Sequence, residues 1–183
     1  SGDFAFEQSS GVTKIGMDNV TVSVDVNGSA GRLEKGEGAI LVTENGVAGT
    51  LEGEINASVG GAAAGGKIEI RFNNTGGSVD QQLEVSGVMK SIIFSDVEGN
   101  ILTVSLLGGS LNIADVVTIE GDVTFTSQGV YKVFAGNNMT LFVGDGPLHL
   151  DDGELNPFAK GLMISEATVG LLKKDGKYGL SAK

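Results

Sequence analysis

Apolar and polar residues alternate one for one along most of this chain. "VTVSVDV" (Val20–Val26), "KIEIRF" (Lys67–Phe72), "ILTVSLL" (Ile101–Leu107), "VVTIEGDVTFTS" (Val116–Ser127) and "MTLFVG" (Met139–Gly144) carry the pattern most clearly. A period of two puts every second side chain on the same side of an extended backbone, so each run predicts a half-buried strand. The same reading covers "DFAFEQ", "TKIGM", "AILVTE", "GVAGTLEGEINASV", "QQLEVSG", "SIIFSD", "SLNIAD", "YKVFAG", "LMISE", "TVGLLKK" and "KYGLSA". No segment of ten or more residues carries the i, i+3, i+4, i+7 stripe of an amphipathic helix. Asn45-Gly46 and Asp175-Gly176 read as two-residue hairpin turns, with looser turn signals at Gly76-Gly77, Glu98-Gly99-Asn100 and Gly108-Gly109. The expectation is an all-β protein with negligible helix: short, mostly antiparallel strands in an elongated or stacked, sandwich- or solenoid-like sheet.

One stretch competes with this reading. "VGGAAAGGKI" (Val59–Ile68) contains the glycines and lysine of a phosphate-binding loop, which requires G-x-x-x-x-G-K-[ST] at the start of a helix. Ile68 stands where the hydroxyl residue is needed, and the residues that follow alternate as a strand. A flexible connection between two strands accounts for it better.

The chain also repeats itself. Gly2–Val24 aligns with Gly121–Val143 with one single-residue gap on each side, pairing Gly2 with Gly121, Phe6 with Phe125, Asn19 with Asn138 and Val24 with Val143 at a spacing near 119 positions. "NGVAG" at Asn45 and "DGKYG" at Asp175 extend the match at a spacing of 130, which implies 11 additional residues within Gly144–Gly161. This divides the chain into a first unit, 1–119, and a partial second unit, 120–183, continuous with it. Phe6 and Phe125, and likewise Val24 and Val143, are expected at equivalent inward positions. The insertion carries both prolines and the only histidine, and insertions in repeats map to surface loops.

Composition narrows the partners. Twelve basic against 23 acidic residues give a net charge of −11 over 183 residues, which disfavours nucleic acid and anionic membrane surfaces and favours cations or basic partners. The absence of cysteine removes disulfides, thiolate metal sites and cysteine nucleophiles. No apolar run approaches the ~18 residues of a membrane span, and the chain opens in mid-pattern at "SGDFAFEQ", as a segment of a longer chain would.

Candidate chemistry is concentrated in the insertion. His149 lacks any nucleophile context and is read as a surface residue. Asp151 and Asp152 with Glu154 do not define a glycosidase pair, because adjacent strand residues point to opposite sides. Asp145, Asp151, Asp152 and Glu154 offer the hard oxygen donors that calcium takes, although the D-x-[DN]-x-[DN]-G loop is missing. Glycan binding is the other module reading; against it stand the absence of tryptophan and the presence of only two tyrosines. No nucleophile, base and orienting group fall together, so the chain is read as non-enzymatic.

The phrases "SGDFAFEQ", "TKIGMDNVTVSV" and "GAILVTENGVAGTLEG", echoed by "IEGDVTFTSQGVYKVFAGNNMTLFVGDG", resemble the repeat units of very large, acidic, glycine-rich bacterial surface or secreted proteins of the adhesin type. The resemblance implies an extracellular or cell-surface setting and a role as one link in a long array, with neighbouring repeats of the same chain as partners; a glycan or protein surface ligand is the further partner considered. It brings no catalytic motif. The function expected is a structural or adhesive spacer; the alternative is a calcium- or glycan-binding module.

Overall fold

The structure, a computed structural model, describes residues 1–26 and 28–183. Its strands are β1 (Asp3–Ser9), β2 (Val12–Val26), β3 (Ser29–Thr43), β4 (Gly46–Val59), β5 (Ala62–Asn73), β6 (Val79–Val85), β7 (Val88–Phe94), β8 (Ile101–Ile113), β9 (Val117–Gln128), β10 (Tyr131–Asp145), β11 (Lys160–Lys174) and β12 (Lys177–Ala182). The only helical turn among the described residues is a 3₁₀ turn at Asp96–Glu98. The protein is all-β, as the alternation predicts. Ten strands form one antiparallel sheet in the order β1-β2-β3-β4-β5-β8-β9-β10-β11-β12, and β6 and β7 form a separate hairpin. Residues 119 and 120, where the two units are expected to abut, lie inside β9, so the sheet runs through that boundary.

Tight turns explain the meander. Ser10-Gly11, Gly60-Gly61, Ser86-Gly87 and Asp175-Gly176 all have positive φ at both central residues, the geometry whose twist matches that of the flanking strands. In "VGGAAAGGKI" only Gly60-Gly61 turns; Ala62 already belongs to β5, so the expected flexible connection shrinks to two residues. The β3–β4 tip corrects a second expectation. Thr43 pairs with Gly46, so Glu44 and Asn45 form the turn and Gly46 opens β4. The Asn45 N–H donates to Thr43 Oγ1 at 3.2 Å. Gly46 has φ +143° and lies where a Cβ would come within 2.4 Å of Asn74 Oδ1.

A row of bulges crosses the sheet. Asn19, Lys35, Gly108, Asn138 and Glu166 all adopt φ between +48° and +56°, each at a shift of strand register. Gly2, Gly66 and Gly121 lie opposite three of them, with φ between +135° and +147°. A Cβ on Gly121 would sit 2.7 Å from Met139 Sδ and 2.9 Å from the Asn138 carbonyl, so the bulged backbone occupies the space a side chain would need. Asn19 and Asn138, like Gly2 and Gly121, are 119 positions apart; Lys35 and Glu166 are 131 apart. The turns Glu44-Asn45 and Asp175-Gly176 share that second spacing, which places the sequence pairing of Asn45 with Asp175 one residue out of step.

Two excursions leave the sheet. Residues 74–100 carry the β6–β7 hairpin, and residues 146–159 connect β10 to β11. The legs of the first are pinned by the Gly76 N–H donating to the Gly99 carbonyl at 2.9 Å. Buried Val79, Ile92 and Phe94 of the hairpin pack on Ala39 and Leu41 of β3 and Ala48 of β4. Alanine and glycine there let the hairpin approach closely: a Cβ on Gly16 would collide with Val85 and Leu83.

Candidate functional site

Cross-strand register divides the sheet into two unlike faces. One register line runs from Phe4 through Met17, Gly38, Leu51 and Ile70 to Val104, and on through Phe125, Phe134 and Leu171 to Leu180. A second, beyond the bulges, runs from Val24 through Gly31, Ala57 and Ala64 to Leu111, Ile119, Leu141 and Ile164. Residues two apart on a strand share a face, so both lines belong to one surface that is apolar across all ten strands. Outside the bulge positions, its share of β1–β5, β8 and β9 carries no ionisable side chain. Lys132, Asp145, Lys160 and Lys173 appear only toward the strand ends of β10 and β11.

None of the described residues covers this face. Phe6 is 69% exposed, Val24 58% and Leu162 68%, while Phe125 is half-buried by its sheet neighbours. Phe6, Val24 and Val143 are therefore not inward, contrary to the sequence expectation. Alternation identifies the apolar side of a strand, but burial also requires a second layer.

The opposite face is polar and is the one the excursions cover. Glu37, Glu52 and Glu69 face one another across β3, β4 and β5, a line of like charges that is destabilising unless cations intervene. Lys67 reaches Glu52 at 2.7 Å and Glu69 at 3.2 Å. Its hydrogen bonds to those two carboxylates hold its pKa above the ordinary lysine value, and its bond to Glu52 holds that carboxyl below the carboxylate range. Lys90, buried on β7, binds Asp18 of β2 at 2.5 Å and also pairs with Glu37. Burial works to lower the Lys90 pKa, but hydrogen bonds to Asp18 and Glu37 outweigh it and leave the group raised. Lys90 thus clamps the hairpin to the sheet. Arg71 of β5 completes the attachment, with its guanidinium 4.7 Å from the Phe94 ring centre, 3.3 Å from the Ile93 carbonyl and 3.2 Å from Glu98.

The second excursion is fixed by less. Leu148 of the loop is buried, as are Phe142 of β10 and its cross-strand partner Thr118 of β9. Gly144 and Gly161 cross so closely that a Cβ on either would meet the Phe142 ring, at 2.7 Å and 2.8 Å. His149 Nε2 lies 3.0 Å from Glu120 of β9 and Nδ1 lies 3.1 Å from the Gly153 carbonyl.

Asp145 ends β10, cross-strand from Lys160, whereas Asp151, Asp152 and Glu154 lie exposed in the connecting loop. Asp152 Oδ1 accepts the Glu154 N–H at 3.0 Å, a local loop bond. Among the described residues no three histidine, aspartate or glutamate side chains converge as metal ligands. Sequence reasoning overlooked Lys90, which stands just before the "SIIFSD" run, and Arg71, which reads as a polar position of the strand "KIEIRF". No helix among the described residues is long and apolar enough to cross a membrane. No family model, curated protein or solved structure matches the chain.

Proposed function

We propose that this chain is a non-enzymatic structural segment, a spacer unit of a large extracellular or cell-surface bacterial protein that works in series with neighbouring units of the same kind. The observation that carries the reading is the pairing of backbone outliers: Asn19 with Asn138, Gly2 with Gly121 and Lys35 with Glu166 repeat the same uncommon torsions at matched places in the strands. A non-glycine residue at positive φ is uncommon and position-specific, so two such coincidences, joined by the matched glycines Gly2 and Gly121, support a duplicated backbone plan. The absence of a break at the boundary supports the same view, because one sheet continues through β9. In repeat architectures each unit is stabilised by its neighbours, and stability grows with their number. Two copies of the chain joined in tandem should therefore melt in one transition above the melting temperature of a single copy. A transition at the unchanged single-copy temperature would refute the spacer reading, and saturable binding to immobilised glycans by the single chain would replace it with the binding-module reading.

A further inference from the structure

We propose that the uncovered apolar face is a self-association surface, on which two copies of this chain pack face to face into a two-layered sandwich. The inference is independent of the spacer reading. Ten strands spaced about 4.8 Å apart, each with roughly 12 residues rising about 3.3 Å, make a face of about 1,900 Å². A stable interface needs about 800 Å² from each partner, and the largest apolar patch on an ordinary monomer is about 300–600 Å². The accessible surface agrees. The chain exposes 11040 Å², whereas a compact monomer of 18.6 kDa exposes about 8,200 Å², so about 2,800 Å² is in excess.

The chemistry selects the occupant. Both excursions that could have served as a second layer lie on the polar face, leaving the apolar one without a cover among the described residues. Its partner must be apolar over a similar extent and bring few charges, and the matching surface at hand is the same face of another copy. Such a pairing is isologous and closes at two. A bilayer fits less well. Membrane-facing sheets carry a band about 25 Å tall with aromatic girdles at both rims. Here the apolar face of β2 runs from Thr13 to Val26, roughly 45 Å at about 3.3 Å per residue. The aromatics Phe4, Phe6, Phe72, Phe125, Phe134 and Tyr178 all lie on one side of the bulge row.

Sedimentation velocity of the 183-residue chain over a concentration series tests this. The wild type should sediment as a dimer at about 10–100 µM, and its melting temperature should rise with concentration. Val24→Glu with Leu162→Glu, both exposed positions on the face, should weaken the dimer at least ~100-fold by placing charges in an apolar interface. Ser23→Glu with Asn56→Glu on the opposite face adds the same charge and should leave the dimer intact. Circular dichroism of each variant establishes that its sheet is retained. A wild type that stays monomeric throughout, open-ended assemblies in place of a dimer, a dimer that survives the first pair of changes, or transfer of the chain to phosphatidylcholine vesicles in preference to dimerisation would each overturn the proposal.

Discussion

The two excursions cover comparable places on one sheet, yet they hold it unequally. Over β2–β5 the β6–β7 hairpin contributes Val79, Leu83, Val85, Ile92 and Phe94, all buried, and is fastened by Lys90 and Arg71. Over β9–β11 the 146–159 loop contributes a buried Leu148 and the contact of His149 with Glu120. Strand lengths and bulges are similar on both sides, so backbone pairing does not account for the difference. What differs is the number of apolar side chains in a second layer. Sheets draw most of their stability from such layers, and a loop that buries one large residue supplies little.

The largest test of this contrast truncates one aromatic under the hairpin cover and one on the uncovered face. Phe94→Ala should destabilise the chain by about 3–5 kcal/mol in denaturant unfolding, as for a buried aromatic. Phe125→Ala, on the uncovered face, should cost only about 1–2 kcal/mol in the monomer because less area leaves water. Equal losses would remove the distinction between covered and uncovered faces. Hydrogen exchange sharpens it: amides of β3 and β4 should exchange near the global unfolding rate, and those of β11 and β12 through local openings that are far more frequent.

Next in size is the clamp. Lys90→Ala leaves Asp18 and Glu37 unpaired beneath the hairpin and should cost about 1–3 kcal/mol. Lys90→Met, which keeps the stem, should cost nearly as much if the charge matters and much less if packing does. Acid should act on the same half of the molecule. Glu98, whose carboxyl is held below its ordinary value of 4.5 by bonds from Ser95 and Arg71, and Glu52 contribute stability that is complete above that value and lost as pH falls through their lowered folded values. Lys90, raised above 10.5, contributes stability that is complete below that pH and lost as pH climbs through its folded value. Chemical denaturation should therefore show a plateau between these limits, with Glu98→Gln flattening part of the acid limb.

The smallest expected effect concerns the loop on the thinly covered side. Exchanging chelator for millimolar calcium should move the melting temperature by no more than matched ionic strength does, and Asp151→Asn with Asp152→Asn should change stability by less than about 0.5 kcal/mol. A calcium-specific rise of several degrees, abolished by those changes, would place a cation in the loop and raise this region toward the stability of the other.

Strands, their antiparallel order and the identity of the apolar face were legible in the residues, because a period of two in "VTVSVDV" or "KIEIRF" admits one backbone geometry and one sorting of side chains. The recurrence of Asn19 as Asn138 was legible in the same way, and both residues adopt φ near +50° at a bulge. Turn detail at Glu44-Asn45 was not, because the Thr43 hydroxyl and the approach of Asn74 decide which residue bends. Nor could the chain reveal which face of the sheet would be covered. Alternation is a property of each strand alone, but cover depends on where an excursion lands, and that is decided by the small residues Gly16, Ala39 and Ala48 and the carboxylates Asp18 and Glu37, drawn from three strands. Only when the sheet brings those residues side by side do they form a seat that β6–β7 can fill. The apolar face, whose charged side chains are confined to the bulges and to the strand ends of β10 and β11, is left for an apolar partner.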